Sequence, residues 1–436
     1  MPKITFMGAG STVFAKNVLG DSMLTPALAH SDIALYDIDP KRLEESELML
    51  KAINKWLGNP AKIYTYLGVE NRKEALRGAD FVVNAIQVGG YEPCTVTDFE
   101  IPKKFGLKQT IADTLGIGGI FRALRTIPVM RDFARDMEEV APNCLFLNYT
   151  NPMAMLSGYM QRYTGVKTVG LCHSVQVCAS HLMWELGMEY DETVKTKIAG
   201  INHQGWLLEI EKDGVDLYPE IKRRALEKNK EKHPDMVRLE IMRRFGYYVT
   251  ESSEHSSEYT PWFIKDKYPQ NIEKYNIPLD EYPRRCVNQI ARWGKQREEL
   301  VTKDTLEHTR TGEYASYIME AVVTNKPYKI GGNVLNTGLI TNLPRNACVE
   351  VPCLVDASGV NPCYIGDLPE QCAALNRTNI NVQLLTIEAA VTHKKDYIYQ
   401  AALMDPHTSS ELDMDDTVAL CDALIEAHGD WLEKYE

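Results

Sequence analysis

Residues 3–14 read KITFMGAGSTVF: an apolar strand that passes through Gly8-Ala9-Gly10-Ser11 into the start of a helix. Glycines at such a corner let the chain turn tightly and let its backbone come close to a pyrophosphate. The free N–H groups of the first helical turn then face the phosphates. A complete G-x-G-x-x-G motif has glycine at position 13, where this chain has Val13. A second apolar run, Ile33-Ala34-Leu35-Tyr36, ends in Asp37. A carboxylate at that strand tip binds the ribose 2′-OH of NAD and repels the extra phosphate of NADP. The spacing from Gly8 to Asp37 is longer than usual, so the first crossover carries an insertion.

The first 200 residues alternate in pattern. Strands are expected at 3–7, 32–36, 61–65, 80–85, 107–112, 144–148 and 167–171, with helices such as 40–57 and 120–139 between them. Such alternation implies an α/β fold: a Rossmann-type parallel sheet like that of lactate and malate dehydrogenases, with helices on both faces. Ligands collect at the carboxyl ends of such strands. Three polar or glycine-rich segments fall at that edge: 84–90, 113–119 and 148–152. Beyond residue 200 the pattern shifts to a charged helix at 222–232, a polar-aromatic loop at 247–262, short β-like runs at 328–355 and a helical last hundred residues. We read two interlocked domains: 1–200, which binds NAD, and 201–436, an α+β domain for substrate, metal and oligomerisation.

Composition sets outer limits. The net charge of −12 argues against nucleic acid or an anionic membrane as the main partner. No apolar run is long enough for a spanning helix, and residue 1 leads directly into a strand with no signal-peptide pattern. None of the ten cysteines forms a C-x-x-C pair, and several sit in apolar runs. They read as buried free thiols in a reducing compartment, which makes the cytoplasm the expected location.

Two segments carry chemistry. Cys172-His173-Ser174 follows a strand at the ligand-binding edge, and Asn202-His203 follows another apolar run. Thiolate and imidazole are good ligands for a divalent transition metal. A separation of 31 residues is no zinc-finger pattern, and a buried thiol with a core histidine is the plain alternative. The loop 250–259, TESSEHSSEY, gathers three carboxylates, a histidine and a tyrosine. One of them can serve as general base, although Ser-Ser-Glu is also ordinary helix-start chemistry.

Together these segments resemble glycoside hydrolase family 4, the NAD- and metal-dependent glycosidases. The pieces that carry the resemblance are IADTLG at 111–116, GIFRALRT at 119–126, NYTNP at 148–152, CHSV at 172–175, GINH at 200–203, ESSEHSSEY at 251–259 and TNINVQLL at 378–385. It extends to AHGDWL near the C-terminus, and the CHSV form is similar to that of the α-galactosidases. The resemblance implies that NAD⁺ takes hydride from sugar C3, which acidifies the C2 proton. A base removes that proton, a metal stabilises the enolate, and the aglycone leaves C1 by elimination. Water then adds and the hydride returns to C3. It further implies Mn²⁺ or another divalent metal on Cys172 and His203. NAD is expected on Gly8, Gly10, Ser11 and Asp37, and Asn151 against the sugar. His173 matches the acid that protonates the leaving group. For the base, His255 comes first and Tyr259 second, because neutral histidine accepts a proton more readily near pH 7. An α-galactoside of the melibiose or raffinose type is the expected substrate, and a homodimer or homotetramer the expected assembly.

Other readings stay open at this point. An α-glucosidase or α-galacturonidase lies within the same family. An NAD-dependent hydroxy-acid dehydrogenase shares the fold, releases NADH and gives Cys172 and His203 no role. A catalytically silent NAD-binding regulator leaves the polar residues of the crevice without a purpose.

Overall fold

The computed structural model describes all 436 residues. Its thirteen strands are β1 (Lys3–Met7), β2 (Asp32–Asp37), β3 (Lys62–Leu67), β4 (Phe81–Asn84), β5 (Leu145–Asn148), β6 (Lys167–Gly170), β7 (Lys195–Ile201), β8 (Gln204–Lys212), β9 (Val215–Asp216), β10 (Tyr248–Val249), β11 (Tyr328–Leu335), β12 (Cys348–Asp356) and β13 (Gly359–Pro362). All belong to one sheet, ordered β10-β8-β7-β12-β11-β6-β5-β4-β1-β2-β3, with β13 beside β12 and β9 beside β8. From β3 to β6 the pairing is parallel in the order 3-2-1-4-5-6, the Rossmann arrangement, with its switch point between β1 and β4. Beyond β6 the pairing turns antiparallel. The α/β fold class expected from the sequence is the one observed.

The helices follow local signals. Asp39 caps helix Pro40–Trp56 by accepting the N–H groups of Lys41 and Arg42 at 2.9 and 3.0 Å, with Pro40 in the first turn. Helix Gly116–Val140 buries most of its first three turns and closes one face of the sheet. The largest core cluster takes Ile4, Phe6, Val83 and Leu147 from the parallel strands and Ile330, Val349 and Val351 from the antiparallel ones, so one apolar interior serves both. No helix is long and apolar enough to cross a membrane.

Two local expectations need correction. Residues 107–112 form no strand. Their apolar content resembles one, but the N–H groups of Thr110, Ile111 and Ala112 all go to the buried carboxylate of Glu258 instead of a ladder. The 247–262 segment is not all loop. It contains β10 and a short helix, Ser253–Glu258. Ser252 sits at the N-cap of that helix, yet its hydroxyl pairs with Nδ1 of His255 at 3.0 Å and caps no backbone N–H.

One row of paired residues crosses ten strands: Tyr66, Tyr36, Met7, Asn84, Asn148, Gly170, Asn333, Glu350, Gly200 and Gly205. Paired residues share a face of the sheet. At its centre the row is polar and buried, with Asn84, Asn148, Asn333 and Glu350 all inaccessible to solvent. Gly8 and Asp37 directly follow it, and Gly10, Ser11, Asn151, Cys172 and His203 lie a few positions further on.

Candidate active site

The glycine corner lies at the switch point. Gly8 has φ +84°, and a Cβ there would stand 2.7 Å from the carbonyl oxygen of Ala85, at the end of β4. Only glycine lets the two strand ends approach so closely. The Gly10 N–H donates to Oδ2 of Asp37 at 2.6 Å, and the Asp39 N–H donates to Oδ1 at 2.9 Å. A carboxylate has further lone pairs, so Asp37 can still accept from a ribose hydroxyl. Ser11 Oγ is buried without a hydrogen-bond partner. A close-packed corner, an unspent hydroxyl and an anchored carboxylate together fit the pyrophosphate and ribose of NAD.

An aromatic chain leads from this corner to the second cluster. Phe14 packs edge-on against Tyr149, with centroids 5.0 Å apart, and Tyr149 lies 5.8 Å from the ring of His173. Cys172 leaves the end of β6, and His203 sits in the β7–β8 turn with φ +62°. Glu251 follows β10 with φ +66°. The Cys172 Sγ is 3.4 Å from His203 Nε2 and 3.9 Å from Glu251 Oε2, and the latter two atoms are 3.5 Å apart. Thiol, imidazole and carboxylate within 4.8 Å of one another are the donor types of a divalent transition metal.

The thiol and the carboxylate are shifted in opposite directions. Burial, then Glu251 and Glu350, push the Cys172 thiol well above its usual range. Burial also pushes Glu251 up, but His203, His255 and Arg238 outweigh it and hold this carboxyl below its ordinary value. A divalent cation would favour the thiolate here.

Around this trio stand the remaining candidates. The Tyr259 hydroxyl is 3.1 Å from Nδ1 of His203, the ring nitrogen turned away from Cys172 and Glu251. The His255 ring centroid is 4.5 Å from that of His203. Its Nε2 lies 3.5 Å from Asp113 Oδ1 and has no hydrogen-bond partner. Burial works against the Asp113 charge, yet His255 and Arg122 keep its carboxyl far below the usual range. Asn151 Nδ2 is 3.4 Å from the other oxygen of Asp113. His173 is half-exposed, with Nε2 2.7 Å from Glu313 Oε2. That hydrogen bond, working against burial, raises the imidazole above its ordinary value.

Contacts therefore join Cys172, His203, His255 and Tyr259 into one cluster, with Asn151 reached through Asp113, and ring packing runs from His173 through Tyr149 to Phe14, just past Gly8, Gly10 and Ser11. Sequence reasoning passed over Glu251, Asp113 and Glu313 as individual actors. Glu251 and Asp113 stood inside segments already marked as polar and site-proximal. Glu313, in an ordinary Thr-Gly-Glu-Tyr turn, gave no signal.

Residues 3–188 match the model of family 4 glycosyl hydrolases, and residues 198–408 match that of the family 4 glycosyl hydrolase C-terminal domain. The chain is 63% identical over 436 residues to an α-galactosidase of Bacillus subtilis, covering 100% of both chains. It is 34% identical to an α-galactosidase of Rhizobium meliloti, covering 99% of this chain and 89% of that one. Among solved structures, a 6-phospho-α-glucosidase from gut microorganisms, in complex with NAD and Mn²⁺, superposes with a TM-score of 0.82 at 20% identity over 100% of both chains. With both segments matched and the alignment running end to end, the chain belongs to the family 4 glycosyl hydrolases.

Proposed function

We propose that this protein hydrolyses α-galactosides, with NAD and a divalent metal, Mn²⁺ first among them, as its cofactors. The observation that carries the reading is the convergence of the Cys172, His203 and Glu251 donor atoms within 4.8 Å of one another. The α-galactosidases at 63% and 34% identity support the sugar. A hydroxy-acid dehydrogenase leaves that donor trio without a role.

Gly8, Gly10 and Ser11 would cradle the pyrophosphate and Asp37 would take the ribose hydroxyls. Cys172, His203 and Glu251 would hold the metal, and Tyr259 would orient His203 through Nδ1. When bound, NAD supplies a hydride acceptor for the sugar ring and the metal supplies a Lewis acid. In this reading His255 accepts the sugar proton, while Asp113 stabilises the resulting imidazolium. His173 donates a proton to the departing oxygen and Glu313 aims its ring. Asn151 hydrogen-bonds a ring hydroxyl. Ten free cysteines support a reducing cytoplasm, and assembly as a homodimer or homotetramer completes the proposal.

The test is hydrolysis of p-nitrophenyl α-galactoside and α-glucoside with NAD⁺, Mn²⁺ and dithiothreitol each present or omitted. Galactoside cleavage that needs both NAD⁺ and Mn²⁺ is the expected result. Glucoside cleavage instead keeps the mechanism and overturns the sugar. Cleavage of neither overturns the proposal.

A further inference from the structure

Cys172 and His203 come from strands that are not neighbours. β11 and β12 lie between β6 and β7, so the two strand axes stand three sheet spacings apart, about 14 Å. The Sγ and Nε2 atoms are nevertheless 3.4 Å apart. Few backbone pairings restrain them: β6 meets β11 only at Gly170–Asn333, and β7 meets β12 only at Gly200–Glu350. Something besides the ladder has to set the distance between the two ends.

One carboxylate oxygen reaches toward both. Oε1 of Glu350 accepts from Asn333 Nδ2 at 3.0 Å and from Asn202 Nδ2 at 3.4 Å. Asn202 immediately precedes His203. Asn333 Nδ2 also donates to the carbonyl of Gly170 at 3.3 Å, two residues before Cys172. Glu350, Asn202 and Asn333 are fully buried, and Glu350 Oε2 has no partner. A carboxylate buried with half its capacity unused is a poor source of stability, because its desolvation is costly. Its arrangement makes sense as a brace.

We propose that Glu350 is a positioning residue that sets the separation of Cys172 and His203 by tying Asn202 and Asn333 to one oxygen. The proposal rests on the metal-centre reading above. Glu350 touches neither substrate nor metal in this role. It acts as an outer partner acts on a ligand, through orientation. Its hydrogen-bonding oxygen matters and its charge does not.

The test is Mn²⁺ binding by the full-length protein, read from the loss of the free-ion electron paramagnetic resonance signal during MnCl₂ titration in dithiothreitol. Glu350→Ala is expected to weaken binding about 10- to 100-fold, the range for lost outer partners. Glu350→Gln retains an oxygen that accepts from both asparagines and should stay within about threefold of the wild type, as rescue of the lost orientation. Asn333→Ala, which cuts the tie to Gly170, should lose about tenfold. Melting curves of the metal-free proteins report the fold, and if Glu350→Ala does not fold, Asn333→Ala decides. Wild-type affinity in Glu350→Ala or in Asn333→Ala overturns the brace. So does a Glu350→Gln variant as weak as Glu350→Ala, since charge would then be the cause. A wild-type protein that binds no Mn²⁺ overturns the metal-centre reading itself and the brace with it.

Discussion

Nε2 of His173 lies 2.7 Å from a carboxylate oxygen of Glu313, 140 positions further along the chain. The pair joins a half-exposed imidazole at the crevice to a mostly buried carboxylate behind it. If His173 protonates the leaving group, its loss should hurt most where that group is a poor one. His173→Ala is expected to lower kcat on melibiose by about 100-fold or more, the usual worth of a general acid. On p-nitrophenyl α-galactoside, whose phenolate needs no proton, the loss should be far smaller. Glu313→Gln should show the same selectivity in weaker form. Equal losses on both substrates would remove His173 from the role.

Removing a metal ligand should show in binding before turnover. Cys172→Ser and Glu251→Ala are each expected to weaken Mn²⁺ by more than the roughly 100-fold that outer partners cost at most. The paramagnetic titration measures this directly. A Glu251→Ala variant with unchanged affinity would return the site to two protein ligands.

The base separates from its neighbour by isotope exchange. His255→Ala should slow exchange of the sugar C2 proton with deuterated solvent by about 100-fold. Tyr259→Phe should keep that exchange at saturating Mn²⁺ while weakening the metal about tenfold, because His203 Nδ1 loses its partner. Full exchange in His255→Ala would move the role to Tyr259 or a nearby carboxylate.

Glu258 carries a structural load for the same crevice. It is buried and accepts three successive backbone N–H groups from Thr110, Ile111 and Ala112, immediately before Asp113. Ala112 holds φ +50°, a left-handed conformation that alanine rarely adopts. Glu258→Ala leaves buried donors unsatisfied and should cost about 3 kcal/mol in urea denaturation. A loss below about 1 kcal/mol would mean that water replaces the carboxylate.

Acid should loosen the first helix. Burial pushes the Asp21 carboxyl up, but hydrogen bonds from His308 at 2.8 Å and from the Thr311 hydroxyl and N–H at 2.6 and 3.0 Å outweigh it. Its folded value is therefore below the ordinary 3.8. Such a group contributes fully above that ordinary value, and the contribution is lost as pH falls through the depressed folded one. Urea midpoints should thus drop below about pH 4, and Asp21→Asn should flatten that part of the curve. An unchanged slope would rule Asp21 out as the source.

The parallel half was readable because each strand is a short apolar run between helical periods. Residues 107–112 misled for the same reason: their side chains match a strand, but the partner of their backbone is a carboxylate some 146 to 148 positions away. Cys172 and His203 stood out by residue type and by their place at strand ends. Glu251 needed the order of β6, β7 and β10 in space, which periodicity does not encode. Glu313 needed a turn to fold back on His173. Glu350 looked like a polar residue in a strand, and only its neighbours in the row distinguish it.

That row has a bearing on how such chains are inherited. Gly170 lies in the first matched segment, and Asn333 and Glu350 in the second. The strands of the two segments meet at one residue pair, Gly170–Asn333, and a slip of one residue would turn every side chain of a strand to the opposite face. A recombination event near residue 190 between two diverged parents would set one parent's seam against the other's. Surface helices can be traded between lineages piecemeal, whereas the two halves have to descend together.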